Sequence, residues 1–218
     1  MITRGFLLLA LGGCMTVPTT RPLPAGQHQT SITLGGPMVR VPNGPTIPLP
    51  NISLEHQRGI NERADWQVGT HLLAPVFGAV GLHLGGSYLL MEASGRRPHI
   101  SVSNRLFLFS NHLDDRKPDD ARRLWAADEL QFVAGWDEPW GGWGLSISEH
   151  VDFGAPDLLL EPSAFVIARI GPWNLSGELS WYGAGLSNAK AVLHWAGIAD
   201  TGAIGLGLGV SRRFGATQ

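Results

Sequence analysis

The sequence predicts an all-β fold: a closed antiparallel up-and-down transmembrane β-barrel of about ten strands, with eight or twelve as alternatives. Three observations support this prediction. Residues 202–214 alternate apolar residues with glycine, serine or arginine, so one strand face is apolar and the other is small or polar. The 218 residues include 29 glycines and 15 prolines, a composition typical of many turns. Turn signals separate further alternating segments along the chain.

Residues 202–214 are the clearest strand. A helix here would carry several glycines at about 1 kcal/mol each, which favours the extended form. An apolar face opposite a small or polar face suits a closed sheet with lipid outside and a narrow lumen inside. The closing Arg212, Arg213 and Phe214 resemble the terminal strand of bacterial outer-membrane β-barrels, which usually ends in an aromatic residue. The resemblance implies the outer membrane as location, its lipid as surroundings and the barrel assembly machinery as a partner.

The N-terminal residues 1–13 predict a signal peptide, because a basic residue precedes a short apolar run that is too short to span a bilayer. Leu11, Gly12, Gly13 and Cys14 resemble a bacterial lipobox. That resemblance implies cleavage before Cys14, acylation of its thiol and contact with the lipoprotein-sorting machinery. Met15, in place of aspartate, argues against retention at the inner membrane. An ordinary leader with a chance cysteine is the alternative.

The residues after Cys14 divide into two parts. Residues 14–26 contain three prolines without alternation and predict a tether, with the N-terminus on the periplasmic side. Residues 27–218 form the predicted barrel domain. Its ten predicted strands cover residues 27–34, 50–58, 65–73, 78–91, 98–110, 128–137, 142–151, 162–170, 174–182 and 202–214.

Two segments complicate the strand count. Alternation breaks near residues 106–109, which predicts a bulge. Residues 190–195 could add an eleventh strand, but bacterial barrels have an even strand number, which favours ten. The Gly- and Asn-containing connection at 59–64 resembles the tight hairpins of outer-membrane barrels.

The predicted connections alternate in length. Those at 59–64, 92–97, 138–141 and 171–173 are short, whereas those at 35–48, 111–127, 152–161 and 183–201 are long, with 74–77 as the exception. Short periplasmic turns and long outer loops are expected of outer-membrane barrels. Aromatic residues at or near the short turns predict an interfacial girdle of Trp66, Trp136, Trp140, Trp143, Trp173 and Phe214. Eight tryptophans in a β protein could also lie near turns by chance.

The opposite strand faces predict a polar lumen. We expect a paired, hydrated network, because an unpaired buried charge costs several kcal/mol. Its members are Glu55, Asp65, His71, His83, Asp137, Ser148, His150, Glu178 and Arg213, with Gln67 and Gln131 beside them. A barrel of ten strands is narrow enough for side chains to fill it.

Chemistry in the lumen is weakly indicated. Ser148 and His150 share a strand face, but they lie roughly 7 Å apart along the chain, too far for a direct nucleophile–base contact. The histidines lack paired ligand spacing, so no metal and no cofactor are expected. We therefore expect no catalysis, with an outer-membrane lipid-modifying hydrolase as a remote alternative.

Composition excludes other classes. The net charge of −2 gives no basic footprint, so nucleic acid is not an expected partner. One cysteine excludes an internal disulfide and a four-cysteine zinc site.

Two function classes remain. The first is an integral barrel with an envelope structural or loop-binding role, in which loops 111–127 and 183–201 carry any specific function around an exposed Trp125 and around Trp195. The second is a soluble lipocalin-like lipoprotein that holds an apolar ligand. In the second, Leu206 and Leu208 would point inward.

Overall fold

The computed structural model describes residues 19–40, 43–49, 51–71, 79–111, 124–153, 155–188 and 194–215. Eleven β-strands make up its regular structure. They are β1 His28–Arg40, β2 Thr46–Pro48, β3 Asn51–Asn61, β4 Ala64–His71, β5 Ala79–Met91, β6 His99–Asn111, β7 Leu124–Glu138, β8 Gly141–Asp152, β9 Ala155–Ile170, β10 Trp173–Ser187 and β11 Thr201–Phe214. The described residues include no helix long and apolar enough to cross a membrane.

Ten of these strands close into an antiparallel barrel, which confirms the predicted fold and strand number. Each strand pairs with its neighbours in chain order, and β1 pairs with β11 to complete the circle, from His28 opposite Phe214 to Pro37 opposite Gly205. The short β2 pairs only with the end of β1, so it forms a ribbon outside the circle.

The two ends of the barrel differ. Residues 62–63, 92–98, 139–140 and 171–172 connect strands at one end, which we call the short-turn end. The start of β1 and the end of β11 also lie there, because His28 pairs with Phe214. The opposite end, called the long-loop end, carries the connection between β10 and β11.

Side chains alternate between the two faces of the wall with a period of two. Inward positions are buried and mostly polar, whereas outward positions are apolar and exposed. Leu206 and Leu208 are 47% and 68% exposed, so the inward orientation expected for a lipocalin-like barrel is wrong. A soluble barrel buries its apolar face, and this chain exposes it.

The predicted long connection at 152–161 is wrong. β8 continues to Asp152 and β9 begins at Ala155, so the strands extend well beyond the prediction. Leu158 and Leu160 face outward while Leu159 and Glu161 face inward. Three leucines in a row hide this alternation in the sequence, because both faces of the strand are apolar there.

The bulge predicted near residues 106–109 is also wrong. The pairing of β5 with β6 continues without a shift from Ala79 opposite Asn111 to Leu89 opposite Ser101. Phe107 and Phe109 point into the lumen, whereas Leu106 and Leu108 point outward. The break in alternation therefore reflects apolar residues inside the barrel.

The wall is less completely bonded between β9 and β10. Their ladder runs from Ile170 opposite Trp173 to Ser163 opposite Ser180 and pairs no residue beyond that point. Pro162 follows directly toward the long-loop end, and proline has no backbone N–H to donate. Pro162, Leu179 and Trp181 line a groove at this place in the outer wall.

Candidate functional site

The lumen contains a belt of acidic and basic side chains joined in pairs, which we call the charged belt. His83 Nε2 lies 3.1 Å from Glu55 Oε2, and Arg105 Nε lies 3.3 Å from Glu129 Oε2. A third pair joins His150 Nε2 to a carboxylate oxygen of Glu161 at 3.0 Å. These residues come from six strands, so the belt links much of the circumference. Pairing offsets the cost of placing charge away from bulk water.

The structure places most predicted lumen residues on the inner face. Glu55, Asp65, His71, His83, Ser148 and His150 are buried, and Glu178 is half-buried on the same face. Glu178 accepts a hydrogen bond from the Ser180 hydroxyl at 3.3 Å. Arg213 lies at the short-turn end, where its Nε donates to Gln29 Oε1 at 3.2 Å. Asp137 lies in the short-turn mouth itself and is partly exposed.

Sequence reasoning missed three members of the belt, namely Arg105, Glu129 and Glu161. Glu161 was assigned to a loop, and Glu129 follows an outward Asp128 that made the start of β7 look uniformly polar. Arg105 precedes the apolar run in which alternation is hidden. Ser103 faces the lumen, and β6 alternates with a period of two throughout. Arg105 is two positions later, so this alternation would have identified it as a lumen residue.

An apolar layer covers the belt toward the long-loop end. Phe107, Phe109, Trp125, Ala127 and Leu159 form a buried cluster inside the barrel. The rings of Phe109 and Trp125 stack at 5.2 Å, with an angle of 13° between their planes. Trp125 is 9% exposed and lies within β7, so the prediction of an exposed loop tryptophan is wrong.

His71 lies at the edge of this apolar layer. Its ring is 5.4 Å from that of His83 and 5.8 Å from that of Phe109. Neither of its ring nitrogens has a hydrogen-bond partner among the described residues. The two histidines are twelve positions apart on neighbouring strands, which the sequence spacing did not reveal. No group of three or more metal-ligating side chains occurs among the described residues.

Residues 19–27, which we call the strap, cross the short-turn mouth. On one side the Thr20 hydroxyl donates to Asp137 Oδ1 at 2.6 Å, and Arg21 Nε lies 3.8 Å from Asp137 Oδ2. On the other side Leu23, which is 1% exposed, donates its backbone N–H to Asp65 Oδ2 at 2.7 Å. Thr20, Pro22 and Leu23 are therefore buried against the barrel, and the described part of the predicted tether is bound to the wall.

Small residues and a shared carboxylate fit the strap to the wall. A Cβ atom on Gly59 would collide with the carbonyl of Pro24, and one on Gly135 would lie 2.6 Å from Thr20 Cα. Asp65 also accepts from Gln57 Nε2 at 2.6 Å and from the Ser87 hydroxyl at 2.5 Å. Proline-rich sequence looks the same in a tether and in a packed strap, so composition alone could not distinguish the two.

The long-loop mouth is partly closed by a second apolar cluster. Tyr182, Trp195 and Ala203 are buried there, with Val39 packed against them. Trp195 forms an isolated antiparallel bridge with Val39, and Ile204 donates its N–H to the carbonyl of Ala196 at 2.7 Å. Trp195 is therefore not an exposed loop residue, although the predicted loop Lys190 lies outside the described residues.

The outer wall presents an apolar band. Every one of the ten strands contributes to it, through Ile32, Leu34, Leu54, Val68, Leu82, Leu84, Leu106, Leu108, Phe132, Leu145, Ile147, Leu160, Val166, Leu175, Leu179, Leu206, Leu208 and Val210. Asn104 and Asp128 interrupt the band on β6 and β7. There the Asn104 amide donates to both carboxylate oxygens at 2.9 Å, which satisfies the two polar groups against each other.

The predicted girdle residues collect at the short-turn end and face outward or into the turns. Trp140, Trp143, Trp173 and Phe214 are exposed, while Trp66 and Trp136 are half-buried. Trp136 and Trp143 stack at 4.2 Å, and the Trp136 indole donates to the carbonyl of Arg96 at 3.0 Å. Amphipathic rings of this kind suit a membrane–water interface.

The serines of the lumen are not joined to an imidazole base in the described bonds. Ser146 and Ser163 hydroxyls lie 2.7 Å apart, and His150 binds Glu161. No bond between Ser148 and His150 occurs among the described residues. A serine nucleophile needs its base within hydrogen-bond reach. The described bonds of Ser146 join it to Ser163 and Gln131 instead.

No protein-family model matches the chain, and no curated protein matches it. Among solved structures, it is similar to the translocator domain of autotransporter NalP from Neisseria meningitidis, with 11% identity and a TM-score of 0.38, over 97% of this chain and 95% of that one. It is also similar to Ail, the attachment invasion locus protein of Yersinia pestis, in complex with the heparin analogue sucrose octasulfate. That match has 12% identity and a TM-score of 0.30, over 87% of this chain and 99% of that one. The closed barrel follows from the strand pairing of this chain itself.

Proposed function

We propose that this chain is an integral outer-membrane β-barrel lipoprotein with a filled lumen and an envelope structural or loop-mediated binding role. The observation that carries the proposal is the sidedness of the wall. Polar and charged side chains point inward, and an apolar band surrounds the outside. Soluble proteins rarely expose contiguous apolar patches above a few hundred Å², whereas lipid requires such a surface.

Backbone satisfaction supports the same location. In hydrocarbon every N–H and C=O group needs an internal partner, and the closed sheet supplies one except beyond the Ser163–Ser180 pair, where the β9–β10 ladder ends toward the long-loop end. The pairing of β1 with β11 provides this closure. The aromatic residues at the short-turn end add an interfacial layer on one side of the band.

The two ends of the barrel support the orientation that we propose, with the N-terminus on the periplasmic side. Short turns and both termini of the barrel strands lie together, as expected for the periplasmic side. Cys14 is six residues before Thr20, which is fixed in the short-turn mouth. Six residues span at most about 22 Å, so an acyl chain on Cys14 would reach the inner leaflet beside the girdle. This short distance supports both proposals, that Cys14 is acylated and that the short-turn end faces the periplasm.

The role of the lumen is structural in this proposal. The charged belt, the apolar clusters and the strap occupy successive levels of the interior, which argues against diffusion through the barrel. We also propose no catalytic role, since Ser148 and His150 are not bonded to each other in the described structure. Specific binding would then fall to the outer loops, including 112–123 and 189–193, which lie outside the described residues.

Membrane extraction of cleaved protein tests the proposal. A protease site inserted between Met15 and Val17 allows the barrel to be separated from Cys14 in isolated membranes. We expect the cleaved barrel to stay in the pellet through carbonate and urea washing and to need detergent for release. Release of the cleaved barrel into the wash would show a tethered soluble domain and overturn the proposal.

A further inference from the structure

A group of basic side chains interrupts the apolar exterior at the short-turn end. We call it the seam patch and define it as His28, His56, Arg58 and Arg212. These residues lie on β1, β3 and β11, on both sides of the closing seam, and all four point outward. These basic side chains belong neither to the apolar outer band nor to the lumen network.

Strand pairing brings the four side chains together. His28 is opposite Arg58, and Thr30 is opposite both Arg212 and His56. Side chains in opposite positions of an antiparallel pair have Cβ atoms about 5 Å apart. We call outward positions that lie opposite each other on neighbouring strands a level. The seam patch therefore occupies two adjacent levels across β1, β3 and β11.

The two imidazoles form a short chain of polar contacts. His28 Nδ1 lies 3.4 Å from His56 Nε2, and His56 Nδ1 lies 3.1 Å from the Thr30 hydroxyl. Both His56 nitrogens are thus occupied, which fixes its ring. His28 Nε2 has no partner among the described residues and lies at the end of this chain.

Aromatic rings lie beside the seam patch and contact Arg212 and His56. The Arg212 guanidinium carbon lies 5.4 Å from the ring centre of Trp173 and 5.0 Å from that of Phe214. Trp66 is opposite Arg58, and its ring lies 6.0 Å from that of His56. Girdle residues therefore flank the patch, which places it at the level of the predicted interface.

No carboxylate neutralises the seam patch from the strands that carry it. β1 and β11 contain neither aspartate nor glutamate, and Glu55 of β3 faces the lumen. Arg58 and Arg212 form no ion pair among the described residues. The exposed Glu62 belongs to the following turn. Two guanidinium groups with free donors favour an anion, and guanidinium geometry matches phosphate oxygens.

We infer that the seam patch binds the phosphate of an anionic phospholipid headgroup, an inference that rests on the proposed membrane location. Toward the barrel middle the next outward level is wholly apolar, with Ile32, Leu54 and Val210 exposed. A phospholipid complements both the seam patch and this apolar level, because its phosphate meets the arginines and its acyl chains lie along the band. Free inorganic phosphate would contact only the seam patch and not the apolar level.

Lipid retention tests this inference. The full chain is reconstituted into nanodiscs of equal phosphatidylglycerol and phosphatidylcholine, transferred to mild detergent, and weighed with its retained lipids by native mass spectrometry. The variant is Arg58→Gln/Arg212→Gln. The charge-matched control is Arg63→Gln/Arg97→Gln, which removes two arginines from turns at the same end of the barrel. Gel migration without heating checks that every barrel is folded.

We expect the unmodified chain and the control to retain phosphatidylglycerol preferentially, and the seam variant to retain about tenfold less, the loss expected from charge-assisted hydrogen bonds. Equal retention by the seam variant would overturn the inference. Displacement of the lipid by millimolar inorganic phosphate, with equal stabilisation of a lipid-free barrel, would overturn the lipid as the source. A chain that stays soluble without detergent and never enters nanodiscs would instead refute the proposed membrane location.

Discussion

The backbone N–H of Leu23 donates a 2.7 Å hydrogen bond to the carboxylate of Asp65, 42 positions later in the chain. The same carboxylate accepts from Gln57 and Ser87, so one side chain joins the strap to β3, β4 and β5. Asp65 faces the lumen, as predicted. Its side chain also anchors the strap to the wall.

Replacing Asp65 by alanine should destabilise the barrel. Several buried donors would lose their acceptor together, and each unsatisfied donor costs about 1 to 3 kcal/mol, so we expect a loss of about 2 to 4 kcal/mol in unfolding free energy. Urea titration in detergent micelles, followed by tryptophan fluorescence, measures it. Glu62→Ala, in the exposed turn, is the control. Equal stability of the two variants would show that the hydrogen bonds of Asp65 contribute nothing to the stability of the barrel.

Leu206→Arg should impair membrane assembly far more than Gly207→Ser. Arginine on a lipid-facing strand near the midplane costs about 2 to 4 kcal/mol, whereas the lumen tolerates a small hydroxyl. Leu206 faces outward and Gly207 faces inward. The folded fraction in purified membranes, compared at equal expression, checks this. Similar folded fractions for both variants would count against a lipid-facing wall.

Breaking the Arg105–Glu129 pair on one side should cost more than removing it. Arg105→Met or Glu129→Leu leaves a buried charge without its ion-pair partner, at a cost of about 3 to 5 kcal/mol. The double variant Arg105→Met/Glu129→Leu should be more stable than Arg105→Met alone. Unfolding free energies of all four chains give the coupling. Strict additivity would mean that the 3.3 Å contact carries no energy.

Cys14→Ser should abolish labelling with a fatty-acid probe, because the serine hydroxyl cannot form the thioether of a bacterial lipoprotein. Metabolic labelling followed by immunoprecipitation measures this. Undiminished labelling of the serine variant would refute acylation at Cys14.

The refolded barrel should show no steady conductance in planar bilayers. About 16 strands are needed for an aqueous pore, and this barrel has ten, with side chains across its interior. Large, unselective and stable current steps would show the filled-lumen interpretation to be wrong.

Local alternation was enough to predict ten strands, their order and the outward Leu206. It failed where both faces were apolar, as at Leu158 to Leu160 and at Phe107, because the hydrophobic pattern then loses its period. Only half of the charged belt was predicted. Arg105 and Glu129 meet because β6 pairs with β7. The register of two paired strands cannot be predicted from the sequence of either strand alone.

The strap was beyond local reasoning altogether. Its contacts reach Asp65 and Asp137, and the latter is 117 positions from Thr20. No periodicity in a short proline-rich segment encodes a partner at that distance. The same holds for Trp195, whose burial depends on a bridge to Val39 near the opposite end of the chain.

The strap also sets an order of events. It emerges from synthesis before any barrel strand, yet it fits between Asp137 on β7 and Asp65 on β4. β4 and β7 are not neighbours in the sheet, so the strap connects two separate parts of the wall. Its complete set of contacts therefore needs both strands in place, although the strap precedes both of them in the chain.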